Sequence, residues 1–484
     1  MTTQFGDRPM YIGGEFTESD SGKWMDSVNP ATGEVHGRVP AGTVTDVDRA
    51  VQAAAKAQLE WGARSVWERG ALLRKLADAI GERAADVLPM EAADTGNTIA
   101  SLDNDIFLVQ GYINFVAGLG IEIKGESVPA TAENIHFTMR QPYGVVGRIV
   151  PFNHPFLFAG AHLGAPLIAG NTVVLKSPDQ SPLSATLMAE ICHDVLPPGV
   201  VNIVSGEGIV VGDAIVRHPR VPRIGFTGSV PTGLAIQRSA AEVGVKHITL
   251  ELGGKNPFIA FPDADPDAVA KAAVAGMNFN WSGQSCGSTS RLMLHESIHD
   301  QVLEQIENTV GAIKVGDPLD KNSGMGPVNS EKHYAHVMGL IAAGREDGAR
   351  LVTGGARPEG PEFERGYWVR PTVFADVTMD MRIAREEVFG PVLAVLKWRT
   401  VDEAIEMANC LDMGLTAAVW TNDLKQAMDA ARRIESGLIW INGTGRHFMG
   451  TGFAGWKNSG LGREECLEEV ISYTQSKSIH IMMG

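Results

Sequence analysis

The sequence predicts an α/β protein built on parallel sheets, and three observations carry that expectation. Short apolar runs alternate with helix-length segments from Tyr143 to Leu252, glycine- and proline-rich breaks separate them, and a second series of the same kind runs from about Asp265 to Asn442. Strand–helix units of this length supply the crossover connections that parallel strands need. At 484 residues the chain exceeds what one hydrophobic core organises, so two large domains or more are expected.

In the first series, 144–150 is an apolar run and 156–169 reads as a buried helix. Residues 172–175 form a strand ending at Lys176, 184–195 a helix, and 200–204 a strand after the Pro197-Pro198-Gly199 break. A helix over 210–217, a strand over 223–226, a helix over 232–243 and a strand over 246–252 complete it. Ligands of such sheets sit beyond the carboxyl ends of the strands, where Asn153, Lys176, Ser229 and Glu251 fall. The second series includes a strand at 415–420, and upstream 47–60 and 67–95 read as helices. Residues 121–140 alternate polar and apolar like a protruding hairpin, and 472–483 are also extended. Two exposed strand segments would invite edge pairing in a monomer, so their burial in an oligomer is expected.

Acidic residues outnumber basic ones, 57 to 41, for a formal charge of −16 and no basic stripe, which argues against nucleic acid or an anionic membrane as partner. The N-terminus has neither a basic start nor an apolar stretch, so no signal peptide is expected. No apolar run reaches the roughly 20 residues of a membrane span. Cys192, Cys286, Cys410 and Cys466 are widely spaced with no CxxC pair, so a disulfide framework or thiolate zinc site is not expected, and a reducing cytoplasm is the default.

Three short motifs compete for the chemistry. His295-Glu296-Ser297-Ile298-His299 matches HExxH, which needs both histidines one turn apart on a helix. Here 289–294 reads as a strand carrying His295 at its end, and Ser297 looks like the N-cap of the next helix, so the strand–helix boundary splits the motif and no metal is expected. Gly283-Gln284-Ser285-Cys286-Gly287 matches the GxSxG elbow, which requires a strand entering and a helix leaving. This segment has the reverse order, which argues against Ser285 as a nucleophile. Cys286 is the third reading. A lone cysteine is ordinarily a small buried hydrophobe, but Cys286 sits in a polar loop, where a thiol suits reactivity better than packing.

Glu251 ends a strand whose other face is Ile248, Leu250 and Leu252, and Gly253-Gly254 follow it. Such a carboxylate is either a salt-bridged structural group or, near a thiol, a base. Gly228-Ser229-Val230-Pro231-Thr232-Gly233 lies between a strand and a helix, where free backbone N–H groups hold a phosphate. Gly206-Glu207-Gly208 is followed by Gly212, one position late for GxGxxG, and reads as a packing turn.

The ordered set Pro151-Phe152-Asn153, Phe226-Thr227-Gly228-Ser229, Glu251-Leu252-Gly253-Gly254-Lys255-Asn256-Pro257, Gly283-Gln284-Ser285-Cys286, Glu386-Glu387-Val388-Phe389-Gly390-Pro391 and Lys457-Asn458-Ser459-Gly460 resembles the aldehyde dehydrogenase superfamily, from about Tyr11 to Ile481. The resemblance implies a Rossmann-like cofactor domain (1–119 and 143–253), a second α/β catalytic domain (254–458) and a protruding β oligomerisation element (120–142 and 470–484). It implies Cys286 as nucleophile, Asn153 and the Cys286 N–H as oxyanion donors, and Glu251 as the base that hydrolyses a thioester. NAD, or alternatively NADP, would be held by Phe152, Lys176, Asp179, Gly228, Ser229, Gly233, Leu252, Glu387 and Phe389. The resemblance also implies a small-molecule aldehyde as substrate and self-association as a dimer or tetramer.

Departures from the family pattern bear on specificity. Asp179 stands where NAD-preferring members usually have glutamate, and Phe152 where tryptophan is common; His162, a substrate-side candidate close to the active site, stands where lysine is frequent and reads either as altered proton handling or as a tolerated polar substitution. His154, Arg446, His447 and Phe453 fall near substrate-tunnel positions and read either as recognition of a polar or anionic group or as ordinary variation. Two other functions compete: CoA-acylating members usually lack the glutamate at Glu251, and catalytically idle members tend to lose the cysteine or glutamate retained here.

Overall fold

A computed structural model describes residues 4–483. The strands Val145–Ile149, Thr172–Lys176 and Arg223–Thr227 are buried at every position, as expected where helices cover both faces of a sheet. They lie in an eight-stranded sheet ordered Glu15–Thr17, Met10–Ile12, Val201–Val204, Thr172–Lys176, Val145–Ile149, Arg223–Thr227, His247–Glu251, Gly460–Leu461. The five central strands pair in parallel; the edges at Met10–Ile12 and Gly460–Leu461 are antiparallel. Side-chain alternation divides the core between the two faces: Val173, Leu175 and Ile203 pack in one cluster, Val174, Val204 and Ile224 in the other.

The second sheet has seven strands, ordered Arg350–Thr353, Thr372–Ala375, Val392–Trp398, Arg291–His295, Pro257–Ala260, Thr416–Trp420, Leu438–Ile441. All its pairs are parallel except the antiparallel Arg350–Thr353 edge. Its core alternates in the same way, with Ile259, Met293 and Leu396 on one face and Phe258, Leu292 and Val395 on the other. The short strand Gly460–Leu461 pairs with His247–Glu251, so the chain returns from the second sheet to the first beside Glu251.

Residues 121–140 and 472–483 meet in a three-stranded antiparallel sheet, Thr474–Met482 against Asn134–Pro142 against Ser127–Val128. Ile135, Met139 and Ile481 share one of its faces and are exposed.

Three local expectations are corrected. The segment 67–95 is two helices, Val66–Glu82 and Ala84–Thr95, broken at Arg83, whose guanidinium is drawn to Asp86 and to Glu190 of a neighbouring helix. The helix expected at 210–217 opens as a π-turn, Gly208–Gly212, before one α-turn, Asp213–Arg217. Ser297 does not cap the helix His299–Gly311; its hydroxyl bonds His295 Nδ1 at 2.8 Å, and Ile298 takes the N-cap position. The two HExxH histidines therefore sit on a strand end and a helix start, with His299 held by Asp300. Among the described residues, no helix is long and apolar enough to cross a membrane.

Candidate active site

Cys286 stands on the loop between the helix Pro266–Gly276 and the strand Arg291–His295 and is half-buried. Backbone torsions and one side chain fix this loop. Gly283 adopts φ +68, and a Cβ there would lie 2.1 Å from the Gly390 carbonyl oxygen. Asn256 Nδ2 donates to the carbonyls of Cys286 (2.7 Å) and Ser288 (2.9 Å), while its Oδ1 accepts from Thr416 N–H at 3.1 Å. Burial, together with the charges of Glu387 and Glu251, pushes the Cys286 thiol up to about 12, against the pull of the Cys286 and Gly287 backbone N–H groups. The resting thiol is therefore protonated, and its use as a nucleophile requires a base.

Asn153 lies in the turn between the strand Val145–Ile149 and the helix Pro155–Ile168. Its Nδ2 donates to Gln284 O at 3.0 Å, and its own carbonyl accepts from Asn97 Nδ2 at 2.7 Å. An amide carries two N–H groups, so one remains for a ligand beside Cys286.

Glu251 ends its strand with only 4% of its surface exposed. Neither carboxylate oxygen has a hydrogen-bond partner. Burial first, then the charges of Glu464, Glu469 and Glu465, raise it well above the usual carboxylate value, with Arg148 opposing. The next residues complete the site. Glu387 Oε1 accepts from Gly254 N–H at 3.0 Å, and a Cβ on Gly253 would lie 1.9 Å from Glu387 Oε2, so a side chain there would displace this carboxylate. Burial raises Glu387 to about 7. Ser459 locks the crossing strand by donating to Gly253 O at 2.8 Å and accepting from Gly414 N–H at 2.9 Å.

The nucleotide-site candidates form three groups. Lys176 Nζ, buried at its strand end, donates to Ser177 O at 2.8 Å and Asp179 Oδ1 at 2.5 Å, and Asp179 Oδ2 accepts from Gly208 N–H at 3.0 Å. Ser229 precedes the helix Val230–Val243, whose first-turn N–H groups have no side-chain cap, the condition for receiving an anion. Gly233 packs its bare Cα against Leu252, where a Cβ would come within 2.8 Å of that side chain. Phe152 meets Phe389 edge-on at 5.7 Å, and Phe389 holds an unusual φ of 49. His333, kept neutral by burial at about 4, bonds the Phe389 carbonyl at 2.6 Å.

His154 pairs with Asp105 at 2.7 Å and stands edge-on to Trp281 at 4.6 Å. His447 stacks on Phe453 at 4.9 Å and pairs with Glu465 at 2.8 Å. Burial works against the charged imidazole of His447, but Glu465 outweighs it and holds the group above its ordinary value. His162 is instead enclosed. It stacks on Phe158, bonds Thr227 Oγ1 at 3.3 Å and lies 3.6 Å from Glu464 Oε1. Burial, then Arg148, lowers it well below its ordinary value, so it is neutral. Ligand atoms of His162, Glu464 and Glu469 all lie within 4.8 Å of one another. Protein groups already answer both carboxylates: Arg148 is 3.0 Å from Glu464, and Tyr112 donates to Glu469.

The structure thus ties Asn153, Glu251 and Glu387 to the loop of Cys286 and groups Lys176, Asp179 and Ser229 beyond strand ends of the first sheet, with Glu387 and Phe389 on the turn before the strand Val392–Trp398, whereas His162, expected on the substrate side, belongs to the buried polar cluster. Sequence reasoning assigned no role to Asn256, Ser459, Asn97 or His333. The first two lay inside motifs already singled out, while Asn97 and His333 carried no local signal.

Fold and site define an α/β enzyme with a thiol held at the mouth of a parallel sheet. A sequence model of the Aldehyde dehydrogenase family matches residues 16–479. The chain is 43% identical over 478 residues to aldehyde dehydrogenase tropH of Talaromyces stipitatus, covering 96% of this chain and 92% of that protein. It is similar to the solved NAD+ complex of an aldehyde dehydrogenase from Bacillus cereus, with a TM-score of 0.95, 37% identity, and 99% of this chain and 97% of that chain covered. It is also similar to 3,6-anhydro-L-galactose dehydrogenase in complex with NAP, with a TM-score of 0.95, 33% identity, and 98% and 100% covered. The chain belongs to the aldehyde dehydrogenase family and is an aldehyde dehydrogenase.

Proposed function

We propose that the chain oxidises its aldehyde to the carboxylic acid with NAD or NADP through a thiohemiacetal and a thioester on Cys286. The observation that carries this reading is the Glu251 carboxylate, buried with both oxygens free of partners and close enough to Cys286 to raise its thiol. A buried carboxylate left unpaired is costly unless substrate or water completes it.

Glu251, acting through water, takes the thiol proton as Cys286 Sγ bonds to the aldehyde carbon. The carbonyl oxygen becomes an oxyanion held by Asn153 Nδ2 and the Cys286 N–H. The bound nicotinamide supplies one piece of chemistry, acceptance of the hydride from that carbon. Glu251 passes the thiol proton to solvent and, as a base again, removes a proton from water as the water oxygen attacks the thioester carbon. The C–S bond breaks, the acid leaves, and the proton returns to Cys286.

The uncapped first turn of Val230–Val243 suits the cofactor's phosphates, and the Lys176–Asp179 pair suits its adenosine ribose. NAD and NAP occupy two similar proteins, and the Asp179 carboxylate favours NAD because it would repel a 2′-phosphate. On this reading the cofactor domain is 1–119 with 143–253, the catalytic domain 254–458, and the exposed face of Ile135, Met139 and Ile481 is covered by self-association. The four cysteines among the described residues are unpaired, which suits a reducing cytoplasm. His447, with its carboxylate partner, and Arg446 favour an aldehyde with a polar or anionic group.

The test is cofactor reduction against aliphatic, aromatic and carboxylated aldehydes, with NAD and NADP in parallel and with or without CoA. Free acid formed without CoA, and lost in Cys286→Ala, is the expected result. Acyl-CoA as the obligatory product would overturn hydrolysis, and no turnover by folded protein under any condition would overturn the activity.

A further inference from the structure

In the three-stranded sheet, Asn134–Pro142 and Thr474–Met482 run antiparallel with His136 directly opposite His480. The Met483 N–H donates to Glu133 O at 2.8 Å, which makes 133/483 a hydrogen-bonded pair. Alternation along the ladder then makes 136/480 a non-hydrogen-bonded pair, the kind in which opposed side chains come closest. The imidazoles use that proximity: Nδ1 of one lies 2.7 Å from Nδ1 of the other, with ring centroids 4.8 Å apart. The apolar residues Ile135, Phe137, Ile479 and Ile481 occupy the opposite face of the same strands, so self-association through that face leaves the two histidines open.

We propose that His136 and His480 form a bidentate site for a late first-row divalent metal ion of the Ni2+ or Cu2+ kind. Two imidazole nitrogens each about 2.0–2.1 Å from one ion are about 2.9 Å apart when cis at a right angle and about 3.3 Å apart in a tetrahedron. The hydrogen-bonded separation of 2.7 Å needs to open by only about 0.2 Å to reach the right-angled arrangement, and imidazole ligands favour Ni2+ and Cu2+ in the order of first-row affinities. The imidazole that now donates from Nδ1 moves its proton to Nε2, and both Nδ1 lone pairs then face the ion, with water filling its remaining positions. The ion ties the C-terminal strand to Asn134–Pro142, away from Cys286 and its loop.

The test is calorimetric titration of tag-free protein with Ni2+, its thiols blocked by alkylation so that cysteine ligation does not contribute. One ion per chain is expected. His136→Gln or His480→Gln should weaken it at least about tenfold, since removing a ligand costs no less than removing its outer-shell support; the double variant should not bind, and all three should keep their aldehyde oxidation. Equimolar Cu2+ on the same alkylated, unmutated chain should give an electron paramagnetic resonance spectrum with two equivalent nitrogen couplings. This measurement needs no variant and so survives any folding defect. Stoichiometric Ni2+ binding that persists in the double variant, no binding to the unmutated chain, or a Cu2+ spectrum without nitrogen coupling would each overturn the site.

Discussion

The side-chain amide of Asn153 donates to the carbonyl of Gln284 at 3.0 Å, which ties one sheet's strand-end turn to the loop that presents Cys286. The amide is thus placed by the loop it serves, and its second N–H is oriented before substrate arrives. Asn153→Ala should lower kcat by about 10²–10³-fold, the usual cost of removing one preorganised oxyanion donor. Steady-state kinetics with unchanged cofactor affinity would bear this out; a loss confined to KM would not.

Glu251→Gln should separate the two halves of the reaction. Glutamine takes a proton neither from the thiol nor from water, so at neutral pH both halves should slow; at a pH high enough to ionise Cys286 unaided, the variant should form the thioester and accumulate it, seen by mass spectrometry as an acyl adduct on the Cys286 peptide. Alkylation at the same pH without substrate will show Cys286 itself intact and reactive.

Glu251 also sets the direction of the pH profile. Its folded value is raised, so the base form appears only as pH climbs through that raised value, and deacylation should increase with pH. Placing an ammonium beside Glu464 with His162→Lys offsets the negative field on Glu251 and should move the rising limb to lower pH. A limb that stays in place would disconnect the buried cluster from the base.

Asp179 accepts from Lys176 and from the Gly208 N–H, leaving its carboxylate at the mouth of the proposed ribose site. Asp179→Ser removes the negative charge and should raise kcat/KM with NADP relative to NAD by about tenfold or more, equivalent to about 1.4 kcal/mol. Parallel titrations with the two nucleotides provide the measurement.

Much of this architecture was legible from local pattern. The mainly apolar runs at Val145–Ile149 and Thr172–Lys176 announce buried parallel strands because both faces must be covered, and the polar loop around Cys286 marks a thiol that packing does not explain. The break at Arg83, where the backbone leaves helical torsions (φ −94, ψ 6), leaves no mark in the periodicity, and neither does the pairing of its guanidinium with Glu190, over 100 residues away. Asn256 and Ser459 were visible as motif letters but silent as to role, since each acts on backbone from a distant part of the chain.

The sequence by itself determined the class of fold, the order of strands and helices, and the residue types available for chemistry, because these follow from local periodicity and spacing. Only the tertiary structure decided that Glu251 is buried without a partner, that His162 is enclosed with Arg148 and Glu464, and that His136 faces His480. Each is a property of groups brought together from far apart in the chain, where burial and the field of neighbouring charges set the chemistry.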